Sequence, residues 1–129
     1  MKRKKIYFCF LSMLLLISLV SCEVSSYSAI GLVKISKDNY CDVSFYKLNG
    51  KLVFNPRYTK SEGEIHYVAS LDEGEINVYY ECIGNKELLF NIKAGERIDS
   101  YGGYIEKGKQ TIIVETVAPA RGSIKIEFV

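Results

Sequence analysis

The feature that most constrains the fold of this chain is a short-range alternation of apolar and polar residues that begins at Ala29. Gly, Asn, Asp and Pro separate the alternating bursts, and apolar residues do not recur at spacings of three and four over the length of a helix. Period-two alternation between turn residues is typical of strands with one buried face. The sequence therefore predicts an all-β fold, a sandwich or a barrel. Of these two, we predict a single antiparallel β-sandwich, which is immunoglobulin-like or jelly-roll-like.

Nine segments carry this strand pattern. They are Ala29–Ile35, Asp42–Leu48, Lys51–Asn55, Glu64–Leu71, Glu75–Cys82, Glu87–Ile92, Glu96–Asp99, Lys109–Val117 and Ser123–Val129. The sharpest turn signal is Asn49-Gly50, which predicts a two-residue type I′ hairpin that sets Tyr46 opposite Val53. Asp38-Asn39 with Asp42 is interpreted as turn chemistry and not as a calcium loop.

A second two-residue turn, at Glu73-Gly74, would register the fourth and fifth segments so that their buried faces meet. Its inward residues would be Ile65, Tyr67, Ala69, Leu71, Ile76, Val78, Tyr80 and Cys82. The same register predicts an outer face on which Val68 lies beside Tyr79 and His66 lies opposite Glu81. Downstream, an apolar run predicts a central strand at residues 111–117, and alternation predicts the inward residues Leu88, Phe90, Ile92, Ile124, Ile126 and Phe128.

The first residues have the pattern of an export signal. Lys2-Arg3-Lys4-Lys5 forms a cationic head, and an apolar run follows from Ile6 to Val20. This run is shorter than the roughly 20 residues needed to span a bilayer. A signal peptide is therefore favoured over a membrane-spanning helix.

The end of this segment, Leu19-Val20-Ser21-Cys22, resembles the lipobox of bacterial lipoproteins. The resemblance implies that Cys22 receives a diacylglycerol and that a lipoprotein signal peptidase cuts before it. It also implies a protein anchored to the cell membrane by lipid and facing away from the cytoplasm. The alternative is an ordinary secretory signal with a chance cysteine at the cut site.

The expected organisation is a signal peptide over residues 1–21, a lipidated cysteine with a short tether over 22–28, and a β-sandwich domain over 29–129. The stretch 71–128, with its Gly-Glu-Ile-Asn-Val-Tyr-Tyr and Gly-Ser-Ile-Lys-Ile-Glu-Phe, also resembles the β-sandwich domains of small lipoproteins. That second resemblance supports the fold and implies little about activity.

The charge of the predicted mature chain gives no reason to expect a nucleic-acid partner. Four of the 17 basic residues lie in the signal, which leaves 13 basic residues against 15 acidic ones. A slightly acidic chain has no simple electrostatic attraction for phosphate backbones or anionic lipid. We therefore expect the lipid anchor, and not charge, to attach the protein to the membrane.

Two of the four cysteines, Cys41 and Cys82, fall in the predicted domain. An exported compartment permits a disulfide between them, and such a bridge would contribute on the order of 4 kcal/mol in the chain-entropy model. The alternative is two buried free thiols that pack as small hydrophobic residues. The sequence leaves both open.

No catalytic or metal-binding constellation is evident, and no cofactor is expected. His66 is the single histidine, so any Ser-His-acid or Cys-His arrangement would have to use it. No Gly-x-Ser-x-Gly elbow occurs, and no cluster of His and Cys has the spacing of a zinc site. We therefore expect a protein that is not an enzyme.

Tyrosine is the residue type that points to binding. Nine of the ten tyrosines follow Cys22 and the chain has no tryptophan; tyrosines combine an apolar ring with a polar tip and serve binding surfaces as well as strands. The predicted binding surface comprises His66, Val68, Tyr79, Tyr101 and Tyr104, with the last two flanking a Gly102-Gly103 loop.

These observations predict a non-enzymatic, membrane-anchored envelope lipoprotein whose sandwich binds a protein or glycan partner or assists an envelope complex. The alternative function is a carbohydrate-binding module in the stricter sense, for which an exposed row of tyrosines beside a concave sheet would be diagnostic. A third candidate is a small hydrolase, which would need a pocket that holds His66 and a nucleophile.

Overall fold

The computed structural model describes residues 25–82 and 84–129, and all of their regular structure is strand. The strands are β1 (Ser26–Ile30), β2 (Val33–Lys37), β3 (Tyr40–Phe54), β4 (Arg57–Cys82), β5 (Asn85–Lys93), β6 (Arg97–Lys109) and β7 (Thr111–Phe128). All pairings are antiparallel, so the predicted all-β antiparallel architecture is confirmed. The predicted signal peptide and Cys22 lie outside the described residues.

The sheet has the strand order β1-β3-β7-β4-β5, with β2 also paired to β3 and β6 also paired to β4. The three long strands β3, β4 and β7 therefore change their outer neighbours along their length. Residues 40–45 of β3, 57–71 of β4 and 122–128 of β7 form half A, with the order β2-β3-β7-β4-β6. Residues 47–54 of β3, 75–82 of β4 and 111–120 of β7 form half B, with the order β1-β3-β7-β4-β5.

The two halves face each other across a common core. The long strands have bulges where they pass between the halves, at residues 45–51 of β3 and 71–76 of β4. Bulges bend a strand and increase its twist. Tyr67 of half A stacks on Phe90 of half B, with ring centroids 4.7 Å apart. The folded sheet is thus a β-sandwich, as predicted.

Apart from Leu88, the inward positions of the described residues are those that the alternation predicts. The predicted inward residues of β4 that are buried in the common core are Ile65, Tyr67, Ala69, Leu71, Ile76, Val78 and Tyr80. β7 is the central strand of both halves, and Ile124, Ile126 and Phe128 are buried, as expected. Each large side chain buried in this way stabilises the fold by about 1.5–3 kcal/mol.

The two predicted hairpins, at Asn49-Gly50 and Glu73-Gly74, are wrong, because both dipeptides lie inside continuous strands. Gly50 and Gly74 do have the positive φ values that suggested turns, +123° and +84°. At each site, however, another strand passes against the glycine: an added Cβ on Gly50 would lie 2.7 Å from Tyr27 Cα, and one on Gly74 would lie 2.8 Å from Ala118 O. These glycines permit close backbone approach.

The cross-strand pairs that depended on the second hairpin are wrong as well. His66 pairs with Tyr101 and Glu127 instead of Glu81. Val68 lies in half A, whereas Tyr79 lies in half B. The periodicity places each residue on the correct face, but it does not reveal that the two segments are one strand bent across two sheet halves.

Two further predictions need correction. Leu88 is 54% exposed because a bulge between the pairs Val78–Phe90 and Tyr79–Leu88 places Leu89, instead of Leu88, against the core. The predicted tether over residues 22–28 is too long, since β1 begins at Ser26 and pairs with β3. Within residues 25–129, the first strand of the sandwich therefore begins at Ser26.

Candidate functional site

A row of polar and aromatic side chains crosses the outer face of half A. The strand registers place neighbouring members of this row directly opposite each other. From the β6 edge towards β3, the row comprises Tyr101, His66, Glu127 and Tyr40. We call these four residues the aromatic row.

His66 is held in this row by three neighbours. Its imidazole stacks on the Tyr101 ring, with centroids 4.5 Å apart and planes inclined by 18°. Nε2 lies 2.8 Å from Asp99 Oδ1, and Nδ1 lies 3.8 Å from Glu127 Oε2. Because an ionised carboxylate only accepts hydrogen bonds, Nε2 donates to Asp99. Both ring nitrogens therefore face carboxylates instead of a nucleophile.

A bulge in β6 places a second tyrosine on the same face. Residues three apart in a regular strand point to opposite faces. Gly103, with φ of +71°, adds a residue between the pairs Ile65–Gly102 and Gly63–Ile105. Tyr101 and Tyr104 consequently both lie on the outer face, 57% and 54% exposed. The predicted Gly102-Gly103 loop is therefore wrong, because both glycines lie within β6.

Carboxylates surround the exposed tyrosines. Tyr104 donates from its hydroxyl to Glu62 Oε2 at 3.1 Å and lies 3.4 Å from Glu106 Oε1. The hydrogen bond to Glu62, with a smaller contribution from burial, raises the pKa of Tyr104. The face thus presents aromatic rings beside oriented oxygen acceptors.

Beside the aromatic row, Val68 forms a half-buried apolar floor. Its neighbours in the register are Asp99 on β6 and Lys125 on β7, and Lys125 lies opposite Asp42 on β3. Tyr40 donates to Asp42 Oδ2 at 3.0 Å, and Lys125 Nζ lies 5.8 Å from the centre of the Tyr40 ring. Burial, followed by this hydrogen bond, raises the pKa of Tyr40.

The structure brings together four of the five predicted surface residues, since His66, Val68, Tyr101 and Tyr104 all lie on the outer face of half A. Tyr79 does not join them. It lies on the outer face of half B, opposite Leu88 and Ile113, with Lys86 Nζ 4.6 Å from its ring centre.

Sequence reasoning missed the residues that β3 and β7 contribute to this face, Tyr40, Asp42, Lys125 and Glu127. Asp42, Lys125 and Glu127 occupy outward positions of predicted strand segments, so their local signal was present, whereas Tyr40 precedes the predicted segment Asp42–Leu48. What was missing is the strand order, which alone shows that these positions lie beside His66.

Cys41 is a buried free thiol in the structure. This is the state that the buried-thiol alternative predicts for Cys41. Burial, with a smaller contribution from Asp42, raises the pKa of this thiol to about 12. The side chain of Cys82 lies outside the described residues, so a Cys41–Cys82 bridge stays a prediction.

The part of the chain that the structure describes contains no group of three or more His, Cys, Asp or Glu side chains arranged to hold a metal ion. It also contains no helix of the length and apolarity needed to cross a bilayer.

No protein-family model and no curated protein matches the chain. Among solved structures, it is similar to a family 29 carbohydrate-binding module, CBM29-2, with 11% identity and a TM-score of 0.42 over 81% of this chain and 72% of that one. A ruminal GH26 endo-β-1,4-mannanase shows 16% identity and a TM-score of 0.41 over 81% of this chain and 20% of the mannanase. The Drosophila melanogaster CENP-C cupin domain shows 12% identity and a TM-score of 0.31 over 84% of each chain.

Proposed function

We propose that this chain is a lipid-anchored, non-enzymatic envelope module that binds a glycan on the outer face of half A. The observation that carries the proposal is the pair of exposed tyrosines, Tyr101 and Tyr104, on one sheet face beside Asp99, Glu62 and Glu127. Sugar rings have apolar C–H faces that pack on aromatic rings and hydroxyls that need oriented partners. This face supplies both.

The stack of Tyr101 on His66 supports the binding role because it fixes the orientation of the exposed ring. A ring that is already ordered loses less side-chain entropy when a ligand packs on it. The hydrogen bond from His66 to Asp99 holds the imidazole in turn. The platform is thus ordered before the ligand arrives.

The environment of His66 favours binding over hydrolysis. A catalytic histidine in a Ser-His-acid arrangement needs one ring nitrogen directed at the nucleophile. Here the two nitrogens face Asp99 and Glu127. The imidazole therefore serves as a support for Tyr101.

Anchoring at Cys22 remains part of the proposal on the strength of the sequence. The cationic head, the short apolar run and Leu19-Val20-Ser21-Cys22 support it. Acyl chains contribute about 0.8 kcal/mol per buried methylene, so more than one chain holds a small domain on a bilayer.

The proposal is tested by applying the mature protein, solubilised in detergent, to an array of envelope and cell-wall glycans. We expect binding to at least one class and about a tenfold loss of affinity in Tyr101→Ala, equivalent to about 1.4 kcal/mol. Tyr79→Ala is the matched control, since it removes an aromatic ring from the outer face of the other half. Equal losses in the two variants, or a folded protein that binds no glycan of its own envelope, would contradict the proposal.

A further inference from the structure

An open groove of about 390 Å³ lies on the outer face of half A, where the long strands bend towards half B. Its lining includes Ser44, Ser70 and Ser123, one from each of β3, β4 and β7, together with Tyr46, Asp72 and Arg121. None of these six residues belongs to the aromatic row.

The floor of the groove is a line of three serines. The register places Ser123 directly opposite Ser44 on one side and Ser70 on the other. Short side chains in adjacent positions keep this part of the face low. Their hydroxyls can donate and accept hydrogen bonds.

The wall of the groove provides an aromatic ring and a guanidinium group. Tyr46, at the next outward position of β3 after Ser44, is 63% exposed, and the Arg121 guanidinium carbon lies 5.6 Å from its ring centre. Arg121 Nε lies 3.8 Å from Asp72 Oδ2, which is longer than a hydrogen bond. That carboxylate therefore leaves the Nε–H donor available to a ligand.

The groove is aligned with the aromatic row along β4. Ser70 follows His66 by four residues, which corresponds to about 13 Å at the rise of a strand. Both residues are outward-facing and half-buried, as is Val68 between them. A ligand that extends parallel to β4 would therefore pass from Tyr101 over Val68 into the groove.

We propose that this groove is a second subsite, so that the face binds an extended, uncharged oligosaccharide of several sugar units. The inference rests on the proposed function and adds the length and charge class of its ligand. Tyr46 packs on one sugar ring while Tyr101 packs on another. Arg121, Asp72 and the serines bind hydroxyl groups in the groove.

The charges along the path favour an uncharged glycan. Lys125 lies opposite Asp42, and Arg121 lies within 4 Å of Asp72 and Glu73. Each of these cations faces at least one carboxylate, so neither gives the path a net positive charge that would attract an acidic glycan. An acidic glycan would meet the carboxylates of Asp99 and Glu127 at the aromatic row.

The test compares a disaccharide with a longer oligosaccharide of the same uncharged glycan, taken from the class that the array identifies and titrated by calorimetry. We expect the longer chain to bind at least tenfold more tightly. Tyr46→Ala should remove this gain while leaving the affinity of the disaccharide at the aromatic row unchanged. Tyr46→Phe, which keeps the ring, should retain the gain, and Tyr27→Ala, which removes an exposed tyrosine on β1, is the control.

The failures of the two proposals are distinguishable. If both lengths bind equally and Tyr101→Ala weakens both, the second subsite is wrong and the glycan-binding function stands. If Tyr101→Ala leaves the affinity for both lengths unchanged, the proposed function itself is wrong. Melting curves of the Tyr46 variants establish that each titrated protein is folded.

Discussion

The ring of Tyr67 stacks on the ring of Phe90 at 4.7 Å, and this contact joins the two halves of the folded sheet. Both side chains are buried, at 8% and 7% exposure. Phe90→Ala should lower the free energy of unfolding by about 3–5 kcal/mol, because it leaves a cavity between the halves. A double-mutant cycle with Tyr67→Leu and Phe90→Leu, followed by urea unfolding, should give a coupling of about 0.5–1.5 kcal/mol. Additive effects would mean that the rings do not pack on each other.

A pair of glycines tests the close strand approach at the bend. Gly74 and Gly95 have almost the same φ, +84° and +83°, but an added Cβ would meet Pro119 and Ala118 backbone oxygens at Gly74 and nothing within 4 Å at Gly95. Gly95→Ala should therefore cost about 1–2 kcal/mol for the left-handed backbone alone. Gly74→Ala should cost at least about 2 kcal/mol more. Equal midpoint shifts in urea would contradict the bend described here.

The Cys41 thiol should be inert in the folded protein. Burial raises its pKa from 9.0 to about 12, so the folded state keeps the proton that the unfolded state loses. The stability linked to this group is therefore complete below pH 9 and is lost as the pH rises from 9 towards 12. A thiol reagent at pH 8 should label Cys41 only after unfolding, and Cys41→Val should flatten the alkaline loss of stability. Rapid labelling of the native protein would contradict the burial.

The free form of Cys41 is checked separately by intact-mass analysis of the unreduced mature protein. We expect a mass that corresponds to free thiols, because Cys41 is a free thiol in the structure. A mass that corresponds to bridged cysteines would contradict this and establish the Cys41–Cys82 disulfide. Cys41→Val is the control, because it cannot form the bridge and adds no polar group to the core.

The lipid anchor predicts a specific acylation site. Cells that express the full chain and are fed a clickable fatty acid should label the wild-type protein, which should partition into detergent. Cys22→Ala should abolish the label, and Cys41→Ala is the control for a cysteine elsewhere in the chain. Equal labelling of the Cys22→Ala protein would rule out the anchor.

The side of the sheet that a residue faces could be predicted from the sequence where the strand is regular, because a regular strand has a period of two. The alternation therefore predicts that Ile65 and Tyr67 face inward and that His66 and Val68 face outward. Leu88, beside a bulge, is an exception. The same signal identified β7 as a central strand, since only a strand covered on both sides is apolar at successive positions such as Ile112 and Ile113.

The partners of each strand could not be predicted, because a glycine with positive φ has the same local signature in a hairpin and in a bulge. The sequence around Gly50 and Gly74 therefore predicts turns, whereas another strand passes against each of them in the structure. Tyr101 and Tyr104 could be predicted from composition, whereas Tyr40 could not. Their assembly beside Glu127 depends on pairings between strands that are distant in sequence.

The central claim is that the outer face of half A binds the glycan, and amide chemical shifts measured during a titration test it most directly. The isotope-labelled mature protein is titrated in detergent with the glycan that the array identifies. We predict that the largest shift changes occur at His66, Asp99 and Tyr101, with changes at Ser123 when the oligosaccharide is long. Changes confined to Asn77 and Tyr79 on half B would contradict the claim, as would a saturating titration that leaves the amides of half A unmoved.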